Sequence, residues 1–248
     1  MRKLKPGTPE FFVLQKEFIL KRPLVKRCYD DWYARLLRDA DSAPQAGALL
    51  ELGSGGSYLK DLRASVITSD VVDNVAERVI DGRHLPFPDN SLQAIFLTHV
   101  FHHIPDVGKF LEEAERALVP GGVISMIEVA QTPFARLFFK YFHHEPYDDG
   151  VKQWPFAQED AMMDCNQALS WIVFVRDHDT FQKRFPQLTV ERLAHIPWLT
   201  YFLSGGVTSP YLIPRFMNPF FIWLEKLAGP TAPVFALHWQ VCIRKKAS

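Results

Sequence analysis

The spacing of apolar residues changes character along the chain. Over the first 45 residues Phe11, Leu14, Phe18, Leu24 and Val25 recur at near-helical intervals, with Lys16, Lys21, Arg22, Lys26 and Arg27 between them. This predicts an N-terminal helical cap over 1–45, broken in two at Pro23. Such a basic amphipathic pattern suits either a solvated outer face or a helix lying on a membrane surface. From residue 48 short apolar runs alternate with helical patterns. Strands are predicted at Ala48–Leu52, Val66–Ser69 and Gln93–Thr98, with a short helix at Tyr58–Ala64. Pro105-Asp106 opens a helix whose Phe110, Leu111, Ala114, Ala117 and Leu118 line one face, and Pro120-Gly121-Gly122 ends it before a strand at Val123–Val129. This alternation implies βαβ units and a parallel sheet covered on both faces.

After Val129 the pattern loosens. Residues 131–176 are aromatic, polar and irregular, and Asp179 is the expected cap of a helix to Phe185. Strands are expected at Leu188–Ile196 and Val234–Ile243, joined by a proline- and aromatic-rich excursion over 197–232. Two late strands so connected suggest an antiparallel pair at one sheet edge. The fold class is therefore α/β, a Rossmann-like doubly wound sheet, mostly parallel with an antiparallel edge strand. Helical cap and lid insertions fall at about 131–176 and 197–232, within a main domain over 46–248.

Composition narrows the possibilities. The chain has 248 residues, 48% of them hydrophobic, enough for one domain with a sizeable core. Its 28 basic residues balance its 28 acidic ones, so no overall basic field marks a nucleic-acid partner. Three scattered cysteines, Cys28, Cys165 and Cys242, form neither a disulfide framework nor a zinc pattern, and a cytoplasmic setting is expected. The basic residues Arg2, Lys3 and Lys5 precede an apolar patch at Phe11–Leu14 that Gln15, Lys16 and Glu17 cut too short for a signal sequence.

The chemistry concentrates where strands end. Leu49-Leu50-Glu51-Leu52 runs into Gly53-Ser54-Gly55-Gly56-Ser57, a glycine turn that lets a ligand approach the backbone. Asp70 ends the next strand, and Asp81-Gly82 precedes Leu85-Pro86-Phe87-Pro88-Asp89-Asn90-Ser91. A dinucleotide fingerprint needs Gly-x-Gly-x-x-Gly, but Tyr58 holds the third glycine's place. Acids at successive strand ends instead fit a nucleoside that carries ribose hydroxyls and an exocyclic amine.

These residues, with His102-His103-Ile104-Pro105-Asp106 and Leu118-Val119-Pro120-Gly121-Gly122, resemble the class I S-adenosylmethionine-dependent methyltransferases. The resemblance spans 48 to about 130 and is to the branch similar to ubiquinone- and menaquinone-biosynthesis methyltransferases. It implies that 46–248 is the methyltransferase domain and that S-adenosylmethionine is the cofactor. It further implies that Glu51, Gly53, Ser54 and Gly55 approach the methionine end, that Asp70 accepts from the ribose and that Val71 packs on adenine. Asp81 would accept from the adenine amine, and Gly82 would donate to a ring nitrogen. Gly56 departs from the usual pattern, in which a glycine stands at the position of Ser57.

The expected reaction moves the sulfonium methyl to a small, apolar acceptor by in-line displacement, with oxygen favoured as the methylated atom. His99, just beyond the Ile95-Phe96-Leu97 strand, is both a cofactor-lining residue and the candidate base. His102-His103 reads as support for the following helix. His143-His144-Glu145 with Asp148-Asp149 reads as a polar loop and not a metal site, because helical His-Glu-x-x-His spacing is absent. Thr98-His99-Val100-Phe101 replaces the Asn-Pro-Pro-Tyr-like tetrapeptide that suits a flipped-out base. The aromatic segment 197–232, with Phe220, Phe221 and Trp223, fits a lid, a homodimer interface or a surface for a lipid-like acceptor and peripheral membrane contact. Other readings are a lipid-linked sugar or peptide carboxylate as acceptor, or a regulatory protein that binds the cofactor without turnover.

Overall fold

The computed structural model describes residues 7–207 and 211–247. Arg2, Lys3 and Lys5, and three residues of the 197–232 segment, lie outside them. Thr8 caps α1 (Pro9–Lys21) by accepting from the Phe11 N–H at 3.3 Å. Pro23 ends the run and opens α2 (Pro23–Asp41), since proline is tolerated in a first helical turn but not in a helix interior. α2 buries Leu24, Val25, Tyr29, Trp32, Tyr33 and Leu36.

Among the described residues, seven strands form one sheet: β1 (Ala48–Leu52), β2 (Val66–Asp70), β3 (Arg78–Val79), β4 (Leu92–Thr98), β5 (Leu118–Val129), β6 (Leu188–His195) and β7 (His238–Lys245). Their spatial order is β3-β2-β1-β4-β5-β7-β6. The ladders from β3 to β5 are parallel, whereas β7 runs antiparallel to both β5 and β6. The reversed strand thus sits one place in from the edge, and β6 forms the edge itself. Strand order reverses between β1 and β4, the switch point beside which ligands bind in doubly wound sheets. The β4 segment from Leu92 to Leu97 is wholly buried, which explains its apolar run, interrupted only by Gln93, whose Nε2 donates to Ala40 O at 2.9 Å.

Several element boundaries differ from expectation. β5 starts at Leu118, because a register shift between Leu92 and Ala94 of β4 accommodates Pro120 and Gly121 within the pairing. β3 has two exposed residues and so carried no apolar signal. The cap of α7 (His178–Arg184) is Asp177, and Asp179 falls in the first turn. Val234 and Phe235 belong to a short helix, Ala232–Phe235, and β7 begins only at His238. The irregular stretch after β5 contains α5 (Pro133–Tyr141), capped by Thr132. The excursion before β7 contains α8 (Leu199–Ser204) and α9 (Asn218–Ala228). Glu225 of α9 clamps α8, accepting from the N–H groups of Leu199 and Thr200 at 3.0 Å and 2.6 Å. Among the described residues, no helix is long and apolar enough to cross a membrane.

One buried acid fastens the N-terminal helices to the sheet. Asp39 of α2, 2% exposed, accepts from Ser125 Oγ on β5 and Gln240 Nε2 on β7, each at 2.6 Å, and pairs with Arg192 on β6. Asp39→Ala leaves those donors unpaired and should lower stability by roughly 2–4 kcal/mol. Urea unfolding checks this, and a loss of less than ~0.5 kcal/mol contradicts the anchoring role.

Candidate cofactor and acceptor site

The carboxyl ends of β1 and β2 build the first half of the site. Gly53 has φ +63°, and a Cβ there would meet Val100 at 2.5 Å. Gly55, φ +45°, turns its N–H to Asp70 Oδ2 at 3.0 Å, while the Val72 N–H donates to Oδ1 at 3.0 Å. Both Asp70 oxygens therefore accept from backbone and retain lone pairs for a ligand's hydroxyls. Burial pushes the Asp70 carboxyl above its ordinary range. Ser54 is engaged with the neighbouring strand. Its N–H donates to Ser69 O at 2.8 Å, and its hydroxyl accepts from the Ser69 N–H at 3.2 Å, tying β1 to β2.

Glu51 is 1% exposed. Its Oε1 accepts from Ser57 Oγ at 2.7 Å, whereas Oε2 has no hydrogen-bond partner among the described residues. Burial, partly opposed by the serine hydroxyls, pushes its pKa up to about 7. Ser57 in turn accepts from Tyr33 Oη at 3.0 Å and from the Leu59 N–H at 3.0 Å, so its hydroxyl is occupied in supporting the loop. Helix α1 leans over this turn: Gln15 Oε1 accepts from the Gly56 N–H at 3.2 Å, and a Cβ on Gly55 would meet the Phe12 ring at 3.0 Å. Between helix and loop lies a cavity of about 230 Å³ lined by Phe12, Lys16, Glu51, Ser54, Gly55 and Ser57 among others. A larger depression of about 710 Å³ over Trp154, Arg176 and Arg184 includes none of the strand-end acids.

Asp81 and Val71 are not among the residues lining the cavity between α1 and the glycine turn; they lie beside the end of β2, where the Ile80 N–H donates to Asp70 O at 3.0 Å. Asp81 is bound by Arg83, with contacts of 3.0 Å from Nε and 2.6 Å from the terminal nitrogen, and these bonds hold its carboxyl below the usual range. Val71 is 53% exposed, as a side chain offered to a ligand face would be. Gly82 packs over Phe110 and Leu52, where a Cβ would sit at 3.4 Å and 3.5 Å.

The ends of β4 and β5 build the second half. His99 has φ +57°, rare for a residue with a Cβ, and its N–H donates to Ile127 O at 2.9 Å. Its ring meets Trp32 and His238 at centroid distances of 5.2 Å and 4.6 Å. Desolvation pushes its pKa down to about 4, and its shielded Nε2 has no partner among the described residues. The Thr98 hydroxyl beside it is likewise unpartnered. His102 is fully enclosed. Glu128 accepts from the N–H groups of Val100 and Phe101 at 3.0 Å and 2.8 Å and contacts His102 Nδ1 at 2.6 Å. Burial alone lowers the His102 pKa, but Glu128 and Glu145 outweigh it and bring it to about 10. Tyr201 of α8 packs against the same rings, 4.7 Å from His238 and 5.2 Å from Trp32 between centroids.

The structure brings Glu51, Gly53, Gly55 and Asp70 together around one turn, with Asp81, Gly82 and Val71 on its flank. Sequence reasoning missed Phe12 and Gln15, whose i, i+3 spacing on α1 was the available signal, and the carboxylates Glu128 and Glu145. Unpartnered Glu51 Oε2 and the lone pairs on Asp70 fit a ligand with an ammonium at one end and a hydroxyl pair at the other.

The raised pKa of Glu51 links stability to pH. Below pH 4.5 the group is protonated folded and unfolded; as pH rises to about 7 the unfolded chain ionises while the folded chain holds its proton. Stability therefore falls across this window, by up to roughly 3 kcal/mol from this group. Glu51→Gln should flatten that slope in urea unfolding at pH 5 and pH 8, and an unchanged slope contradicts it.

Residues 50–126 match the family model described as a methyltransferase domain. The chain is 24% identical over 162 residues to the ubiquinone/menaquinone biosynthesis C-methyltransferase of Desulfotalea psychrophila, covering 55% of this chain and 66% of that protein. It is 34% identical over 73 residues to the demethylmenaquinone methyltransferase of Tropheryma whipplei, covering 27% of this chain and 30% of that one. The matched region thus spans less than two thirds of these relatives. Among solved structures, geranyl diphosphate C-methyltransferase from Streptomyces coelicolor, in complex with Mg2+, geranyl diphosphate and S-adenosyl-L-homocysteine, superposes with a TM-score of 0.53 at 15% identity. The superposition covers 95% of this chain and 84% of that one, a likeness of fold. Taken with the strand-end motifs, these matches place a methyltransferase domain over residues 50–126 and support its similarity to the class I S-adenosylmethionine-dependent methyltransferases.

Proposed function

We propose that the chain transfers the methyl group of S-adenosylmethionine to an oxygen of a small, apolar acceptor. Asp70 would hold the ribose hydroxyls, Glu51 the methionine ammonium, and Asp81 with Gly82 and Val71 the adenine. The backbone at Gly53, Ser54 and Gly55 would wall the methionine end. The bound cofactor supplies an activated sulfonium methyl, so the chain's task is alignment and exclusion of water. Trp32, Tyr201 and His238 enclose the acceptor side. His99 would accept the proton of an attacking hydroxyl at Nε2, and its unpartnered, shielded Nε2 is the observation that carries this reading. The 1–45 helices would serve as the cap of a domain over 46–248.

Incubation with methyl-labelled cofactor and a panel of apolar hydroxyl and carboxyl compounds tests the reading, with the methyl located by NMR. Attachment to oxygen is expected, whereas attachment only to carbon contradicts O-methylation. His99→Ala should lower turnover by roughly 10²–10⁴-fold with little change in cofactor affinity. Equal loss of both reduces His99 to a binding role.

One observation favours a lipid-like acceptor met at a membrane surface. Phe216, Phe220, Trp223 and Leu227 follow helical spacing on and just before α9 and are 83%, 51%, 54% and 59% exposed. Arg215 and Lys226 flank this stripe. Co-sedimentation with anionic vesicles is expected for the wild-type chain and its loss for the F220S/W223S double variant. No sedimentation of the wild type removes the membrane reading, and a concentration-dependent dimer in its place makes the stripe a subunit contact.

A further inference from the structure

The methyl-transfer scheme leaves one cluster unused. His102, His103 and Glu145 each bring one ligand-type atom within 4.8 Å of the others. His102 Nε2 faces Glu145 Oε2 at 3.7 Å. Two ligands about 2.0–2.2 Å from one tetrahedral ion lie roughly 3.3–3.6 Å apart, so this separation is close to a coordination geometry and too long for a direct hydrogen bond. The other His102 nitrogen, Nδ1, contacts Glu128 Oε2 at 2.6 Å. A histidine that donates from one nitrogen to a buried carboxylate directs the lone pair of the other at a metal, the carboxylate–histidine–metal arrangement. His103 adds a separate observation. Its Nδ1 is buried and has no hydrogen-bond partner among the described residues, while its ring centroid lies 4.4 Å from that of His102 at a 39° tilt.

We infer that His102, His103 and Glu145 form a site for one divalent transition-metal ion of the zinc class, with Glu128 orienting His102. Two imidazoles and one carboxylate are the donor set such ions take, with a further position left to water or an acceptor oxygen. The expected polar loop at 143–145 thus divides. Glu145 folds inward to this cluster, whereas His144 stays on the outside, its side chain 54% exposed. The His102-His103 pair, sequence-adjacent, reaches one ion because both lie in the tight turn Phe101–His103. Binding would pin the 143–145 loop to the end of β4, next to His99. The histidines must be unprotonated to coordinate, so binding releases protons.

The full chain, stripped with a chelator, is titrated with Co2+ and with Zn2+ in competition with a chromophoric chelator. The result expected is one ion per chain, with Co2+ ligand-field bands of a four- or five-coordinate site. His103→Ala and Glu145→Gln should each weaken binding at least ~10-fold. His195→Ala, an exposed histidine on β6, should not change it. Zinc-edge X-ray absorption on the wild-type chain serves if a variant fails to fold, and nitrogen and oxygen scatterers without sulfur are expected. No stoichiometric binding, binding equally tight in both site variants when folded, or a sulfur ligand from Cys165 overturns the inference. None of these readouts uses methyl transfer, so the metal site and the transferase reading stand or fall separately.

Discussion

Three carboxylates buried at the ends of parallel strands set the constraint on which the site depends. Glu51 on β1, Asp70 on β2 and Glu128 on β5 are 1%, 5% and 0% exposed. A buried carboxylate is tolerated only when donors replace water. The chain meets that need by wrapping loop backbone around each acid. Asp70 takes the N–H groups of Gly55 and Val72, and Glu128 takes those of Val100 and Phe101. The acids therefore shape the loops, and the loops shape the cleft. Glu51 is the exception: one oxygen is satisfied by Ser57 and the other is left open. A cationic group placed at that oxygen would complete its hydrogen bonding.

The two halves of the site differ in character. The β1–β2 half is polar backbone and carboxylate, suited to holding a nucleoside and an amino acid. The β4–β5 half is imidazole and aromatic ring, closed by α2 and α8. His99 stands at the junction, held in a left-handed conformation by its bond to Ile127. Glu128 orders the same turn from beneath, so the positions of His99 and His102 are set together. The N-terminal helices belong to both halves: α1 covers the glycine turn through Phe12 and Gln15, and α2 supplies Tyr33 to one side and Trp32 to the other.

Much of this was legible in the sequence, for identifiable reasons. The parallel core was readable because its buried strands are largely apolar and the helix before β5 carries a clear cap at Asp106. The glycine turn and Asp70 were readable because only special residues meet the local backbone demands. What was not readable depended on long-range pairing. Glu128 lies in an apolar strand and gives no local hint that His102 will meet it. Glu145 looks like part of an exposed loop until the fold carries it inward. β3 is too short to register, and Val234 and Phe235, apolar enough for a strand, are drawn into a helical turn where Pro230 and Pro233 favour one.

The central claim is that the strand-end acids hold S-adenosylmethionine. Isothermal titration of the full chain with S-adenosylmethionine and S-adenosylhomocysteine, beside NADH, tests it most directly. The account predicts binding of the first two at about micromolar Kd, near −8 kcal/mol, loss of both in Asp70→Ala and no heat with NADH. No binding of either cofactor form, or binding indifferent to Asp70→Ala, contradicts it.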